Sequence, residues 1–395
     1  MNSSNPYNAA AAEKAATVVI KRSGQSRVLT FVLGILAILI ASLLGLLVLL
    51  VIGVETGPVP FILGFFSAII PVPLYVSLVL WIDRYETEPP WMLATAFFWG
   101  VLVAPFFSFL LNTLGAIIVT LVAGKEAGET FALVISAPIV EESSKAAILI
   151  IFYLWKKEEF DGVVDGIVYA SLVALGFAMT ENILYYGKAA LEHGATGLTL
   201  TFIVRGAFAP FSHPLFTSLT GIGLGIARQT NNLVIKLATP VIGFMMAVFM
   251  HSIWNGSGAL GGGGIFLLTY LIVMVPAFVI MIVVISLALR REGEVVREFL
   301  LPDFQQGFFS DEEYRQLGSI GGRMNSSLSA LSKRGIKGWR SRRQFNQLAS
   351  ELAFHRSRVS RGLHASEHEA SAMEAAYLAA LRSLIEDVRS VQTRR

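Results

Sequence analysis

Residues 28–54 read VLTFVLGILAILIASLLGLLVLLVIGV and carry no charged side chain. About 20 consecutive apolar residues in a helix cross a hydrocarbon core of ~30 Å, so this stretch predicts a membrane span. Three further uncharged runs of spanning length occupy residues 61–82, 91–123 and 265–289. Between them lie four apolar stretches, residues 130–155, 163–186, 196–227 and 237–254, each interrupted by polar or ionisable side chains. Together they predict an all-α, polytopic transmembrane bundle of about eight spans. Composition agrees, with 54% of residues hydrophobic and only 15% charged. The first run is too long and too far from the N-terminus for a signal-peptide core, so it reads as a retained span. The lack of cysteine excludes disulfides, thiolate metal ligands and a cysteine nucleophile.

Lys and Arg set the expected orientation. Twelve flank one set of span ends (Lys14, Lys21, Arg22, Arg27, Arg84, Lys156, Lys157, Arg228, Lys236, Arg290, Arg291 and Arg297), whereas the opposite loops hold only Lys125 and Lys188. Eight spans with both termini in the cytoplasm, in a cell membrane, satisfy this bias. The expected organisation is a disordered cytoplasmic N-terminus over 1–27, a transmembrane domain over 28–290, and a basic cytoplasmic tail over 291–395. That tail holds 17 of the 31 Lys and Arg residues against 13 acidic ones. Apolar spacing predicts short amphipathic helices near 311–317, 344–353 and 370–391, resting on anionic lipid. The lipid bilayer is the expected partner and nucleic acid is not.

An ionisable group at bilayer depth costs at least ~2.5 kcal/mol, so each must be paired, solvated or used. The fourth span carries Glu141, Glu142 and Lys145 as E-E-x-x-K, a spacing that puts both carboxylates beside the ammonium on one helix face. Two carboxylates with one ammonium leave a negative charge uncompensated, a setting for a general base. The fifth span places Glu181 next to Asn182, within F-x-x-x-E-N-x-x-Y from Phe177 to Tyr185. The sixth carries Arg205 and His213, with Pro214 expected to break the helix at the histidine. The seventh ends in His251, Trp254 and Asn255, and a spacing of four puts His251 and Asn255 on one face. Counting ~1.5 Å per residue brings Glu141, Glu181, His213 and His251 into the outer half of the bilayer. Each feature alone has a bland reading as an ion pair, a core histidine or an interface aromatic. Three carboxylates, two histidines and an asparagine on four consecutive spans favour chemistry, with Glu141, Glu142, Glu181, His213, His251 and Asn255 as the catalytic set and Lys145, Asn182 and Arg205 supporting it. A proton- or ion-coupled transporter is the alternative, disfavoured by the lack of an evident internal repeat. A non-catalytic scaffold glued by polar residues is a third class.

In order, W-I-D-R-Y-E-T-E-P-P-W from Trp81, E-E-x-x-K at Glu141, D-G-x-V-Y leading to F-x-x-x-E-N at Glu181, His213, and H-x-x-W-N at His251 resemble the PrsW family of intramembrane proteases. More distantly they resemble the CAAX- and bacteriocin-processing protease superfamily. The resemblance covers about 175 residues and implies an intramembrane endopeptidase acting on a membrane-anchored protein, anti-sigma factors being what the best-known member cleaves. More distant members carry histidine where this chain has Glu181, and arginine at longer spacing where it has Lys145. Two chemistries fit. Glu141 or Glu142 activates water while His251 and Asn255 donate to the oxyanion, as in glutamate-type relatives. Alternatively His213, His251 and Glu142 bind a divalent ion, zinc being the best match to such ligands, and a remaining glutamate is the base. No H-E-x-x-H independently demands zinc. The acidic turn at 83–88 reads as a capped connection far from the site, and glycines 261–264 as a flexible outer loop that admits substrate.

Overall fold

The computed structural model describes residues 24–260, 262–363 and 366–389; most of the expected disordered N-terminus, residues 1–23, lies outside them. Every regular element among the described residues is helical. One unit comprises residues 29–83 and 88–285, and a second contains 84–87 and 286–395.

The first unit begins with α1 (Gly24–Thr56), α2 (Pro58–Ile69) and α3 (Val72–Ile82). Next come α4 (Pro90–Phe98), a π-helical turn (Trp99–Val103), α5 (Ala104–Ala123) and α6 (Lys125–Phe131). A second π turn (Ala132–Ser136) leads into α7 (Ala137–Trp155). Helix α8 (Val163–Phe202) ends in a third π turn (Ile203–Phe208), and α9 (Ser212–Gln229), α10 (Leu233–Leu260) and α11 (Gly262–Thr269) follow. A fourth π turn (Tyr270–Met274) opens into α12 (Val275–Gln305).

Six helical stretches are long and apolar enough to cross a membrane: Val32–Thr56, Pro58–Ile82, Pro90–Ala123, Val163–Gln229, Leu233–Ala259 and Gly262–Gln305. The protein is a multi-pass membrane protein. Helix α7 falls outside that set because Glu141, Glu142 and Lys145 interrupt it. The Val163–Gln229 stretch runs through a break at 209–211. It is also the buried heart of the unit: 89% of the residues in its apolar 18-residue window are buried, against 6–17% in the corresponding windows of the other five. The apolar faces of those five are suited to lipid.

Helices α8 and α9 approach backbone to backbone at Gly166 and Gly221, where a Cβ on either would lie 2.1 Å from the other's carbonyl oxygen. Small residues permit this approach where lipid provides no hydrophobic drive for helix association. The break before His213 is made by residues 209–211; Pro214 sits in the first turn of α9, where its missing N–H costs nothing. The outer glycines are also not a loop throughout: Gly262, at φ 59°, starts α11, and Gly263 and Gly264 continue it.

The turn at 83–88 is fastened at both ends. The Glu88 N–H donates to Asp83 Oδ2 at 3.0 Å, and the Tyr169 hydroxyl donates to Glu88 Oε2 at 2.5 Å. Asp165 accepts from the N–H groups of Asp161 and Gly162 at 2.8 and 2.6 Å, capping α8. Burial, only partly opposed by the Glu88 N–H and reinforced by Asp165, raises Asp83 to a pKa of about 7.

The second unit contains the end of α12, α13 (Asp311–Leu317), α14 (Ile320–Ser360) and α15 (Glu367–Arg389). The tail helices are longer than the expected short segments, α14 comprising two helical segments joined at a kink at Gly335, and Leu300, Phe309, Leu317, Phe345, Leu352 and Leu381 of this unit are buried. Residues 84–87 belong to this unit. Tyr85 is buried with the Arg323 guanidinium 4.9 Å from its ring, Glu86 pairs with Arg358, and Thr87 accepts from Gln347 at 2.9 Å.

Candidate active site

Helix α7 carries Glu141, Glu142 and Lys145 into the interior, and all three are buried. Lys145 sits at the centre, its Nζ 2.9 Å from Glu142 Oε1, 3.5 Å from Glu141 Oε2 and 3.2 Å from His213 Nδ1, with the Phe177 ring 4.0 Å below. A buried ammonium needs this many partners, and cation–π contact gains strength once water is excluded.

Glu142 has no exposed surface and its two oxygens are fully engaged. Oε1 receives Lys145 and His251 Nδ1 (3.1 Å), and Oε2 receives the Thr217 hydroxyl at 2.8 Å. An ionised carboxylate only accepts, so His251 donates from Nδ1 and turns the lone pair of Nε2 toward Glu141, whose Oε2 is 3.8 Å away. The same logic orients His213. Ammonium only donates, so Nδ1 accepts from Lys145, and Nε2 donates to Glu181 Oε2 at 2.9 Å. Glu181 is held in turn by Arg205. The guanidinium also donates from Nε to Asn182 Oδ1 at 2.6 Å and lies 3.9 Å over the Tyr185 ring.

The histidine rings meet edge to face, 5.1 Å between centroids, with Phe216 stacked on His251 at 5.1 Å. Glu141, His213 and His251 each offer a ligand atom, all within 4.8 Å of one another. Glu141 is the least engaged carboxylate, with contacts of 3.5 and 3.8 Å. With the histidines neutral, three carboxylates face two cations, Lys145 and Arg205, which leaves the cluster one positive charge short.

Five of the six predicted catalytic residues are therefore linked by contacts, as are Lys145, Asn182 and Arg205. Asn255 is engaged elsewhere: its Nδ2 donates to the Leu133 carbonyl in the π turn preceding α7, at 3.0 Å. Glu142 is in the cluster but outside the ligand group, where Glu141 stands instead. Sequence reasoning missed Thr217. Its signal was the spacing of four from His213, which places both on one face of α9.

In this multi-pass membrane protein, glutamates and histidines from α7, α8, α9 and α10 converge on one point inside the helical unit. The profile of the PrsW family of intramembrane metalloproteases matches residues 88–281. Protease PrsW of Geobacillus kaustophilus is 31% identical over 175 residues, covering 44% of this chain and 69% of that protein. Protease PrsW of Bacillus subtilis is 36% identical over 149 residues, covering 37% and 60%, and that of Oceanobacillus iheyensis is 31% identical over 147, covering 36% and 59%. The chain thus spans about three-fifths to two-thirds of the curated relatives it matches. No solved structure matches it. This chain belongs to the PrsW family.

Proposed function

We propose that this protein is an intramembrane endopeptidase that hydrolyses a peptide bond of a membrane-anchored protein at the Glu141–His213–His251 cluster. The single observation that carries the reading is the meeting of those three ligand-bearing side chains within 4.8 Å inside the bundle. A transporter draws no support from the family match.

In the route without a metal, Glu141 is the carboxylate left to accept a proton from the attacking water, because Glu142 is committed to Lys145, His251 and Thr217. Glu142 and Glu181 are positioning residues: each fixes the tautomer of one histidine by accepting from the nitrogen that faces away from the reaction point. Asn255 is also a positioning residue, satisfying a carbonyl that the π turn leaves without its α-helical partner. Lys145 neutralises the carboxylates, its three N–H groups facing Glu141, Glu142 and His213.

The donor chemistry fits a divalent metal. Two imidazoles and a carboxylate suit zinc, each histidine has the carboxylate partner typical of metal-binding imidazoles, and the cluster is short of positive charge. Glu141, His213 and His251 would hold the ion, with the flexible Lys145 releasing His213 Nδ1. A bound metal supplies Lewis-acid activation of water near neutral pH. The substrate is a protein with a membrane span, an anti-sigma factor being one candidate. The cell membrane with both termini in the cytoplasm is the orientation that the twelve flanking cations favour.

The test is cleavage of co-reconstituted single-span proteins by wild type, Glu141→Gln and Glu142→Gln, with and without a strong chelator. Loss of cleavage in both variants with normal assembly supports the protease, and chelator sensitivity selects the metal route. Full cleavage by Glu141→Gln would overturn the assignment.

A further inference from the structure

The second unit presents an apolar stripe beside an unbroken run of positive charge. On α14, Met324, Leu328 and Leu331 recur at spacings of four and three and are 47%, 51% and 39% exposed. Ile336, just past a kink at Gly335, is 64% exposed. Ser326, Ser327 and Ala330 form the buried face of the same segment, so the stripe is not what packs the unit. Gly335 has φ 64°, a conformation that glycine adopts without strain, and it turns the helix into an elbow. Between residues 314 and 350 there are eight basic side chains and no acidic one. Lys333, Arg334, Lys337, Arg340 and Arg343 are exposed, the last with its guanidinium 4.8 Å over the Trp339 ring.

We infer that this elbow, residues 324–343, docks on anionic lipid headgroups. Met324, Leu328, Leu331 and Ile336 enter the acyl boundary, while the exposed cations meet the phosphates. Charge complementarity selects the occupant, because exposed cations such as Lys333, Lys337 and Arg340, on a segment whose sequence holds no acidic residue, gain little at a zwitterionic surface and much at an anionic one. The apolar stripe adds the component that interfacial helices use. The membrane spans already tether the chain to the bilayer, so a weak intrinsic affinity suffices at that effective concentration. The elbow shares no residue with the Glu141 cluster, and its test is independent of proteolysis.

The chain has no cysteine, so Leu331→Cys or Ile336→Cys carries one environment-sensitive fluorophore in the full-length protein. The labelled protein is placed in nanodiscs of phosphatidylcholine, alone or with phosphatidylglycerol, each with a nitroxide-bearing lipid. A blue shift and lipid quenching in the anionic discs, reversed by high salt and absent at the exposed control His368→Cys, is the expected result. Lys333→Gln, Lys337→Gln and Arg340→Gln should each weaken docking roughly fivefold, with unchanged helical circular dichroism. Equal quenching in purely zwitterionic discs overturns the recognition of anionic headgroups. A blue shift that persists in detergent without lipid quenching overturns the proposal in favour of a protein contact, and no shift in any disc overturns it outright.

Discussion

Two sets of acids lie inside the membrane unit, all buried except the partly exposed Glu181, and they differ in what surrounds them. Glu141, Glu142 and Glu181 are mixed with an ammonium, a guanidinium and two imidazoles, groups that donate, carry charge or exchange protons. Asp83, Glu88 and Asp165 bond to backbone N–H groups and a tyrosine hydroxyl. The first arrangement can change protonation during a reaction. The second fastens helix ends. Burial of a carboxylate therefore does not mark catalysis; the ammonium, guanidinium and imidazole neighbours do.

The largest test of this contrast is Glu141→Gln against Glu88→Gln. Removing a general base costs typically 10²–10⁴ in rate, so Glu141→Gln should lose that much in kcat. Glu88→Gln should keep kcat within a few-fold while lowering the melting temperature. Equal loss of kcat in both would erase the distinction. Thr217 provides a finer probe. Thr217→Val removes one buried donor to Glu142, worth ~1.5–3 kcal/mol for a bond to a charged group, and should reduce kcat about tenfold or more, whereas Thr217→Ser retains the hydroxyl and recovers most of it. Arg205→Lys should fall between, since an ammonium cannot hold Glu181 and Asn182 together as the guanidinium does.

The smallest effect concerns pH. Asp83 has a pKa raised from 3.8 to about 7 by burial, so the folded chain holds its proton where the unfolded chain has lost it. Stability from this group is fully present below about pH 4 and declines as pH rises through about 7. Asp83→Asn, with an amide oxygen that still accepts the Glu88 N–H, should raise the melting temperature by a few degrees at pH 8 and barely change it at pH 4. An identical shift at both values would mean that Asp83 is held by its geometry alone.

Much of this was legible in the chain. Lipid demands uncharged helices, so the spans at 28–54, 61–82 and 91–123 follow from composition, and the cost of burying charge pointed to α7 through α10. What did not follow was pairing across helices. Periodicity places His251 and Asn255 on one face, but only the packed bundle shows that Glu142 claims the histidine while the Leu133 carbonyl claims the amide. The choice of Glu141 over Glu142 as ligand depends on rotamers that an E-E dipeptide does not encode. The tail was underestimated because its apolar spacing recurs in pieces, whereas the helical segments on either side of the kink at Gly335 run well beyond them.

Helix α8 serves two masters. Tyr169 near its start secures the turn at Glu88, and Glu181, twelve residues further along the same buried rod, orients His213. Between them Val173 and Gly176 meet the backbone around Gly100 so closely that a Cβ on Gly100 would lie 1.9 Å from the Val173 carbonyl oxygen. A drifting sequence has little room here: a substitution that suits one end must also preserve the register of the other. In a saturation library α8 should be the least permissive stretch of the chain, so that its tolerance profile, read without any activity assay, would trace the line joining the turn at Glu88 to the Glu181–His213 contact.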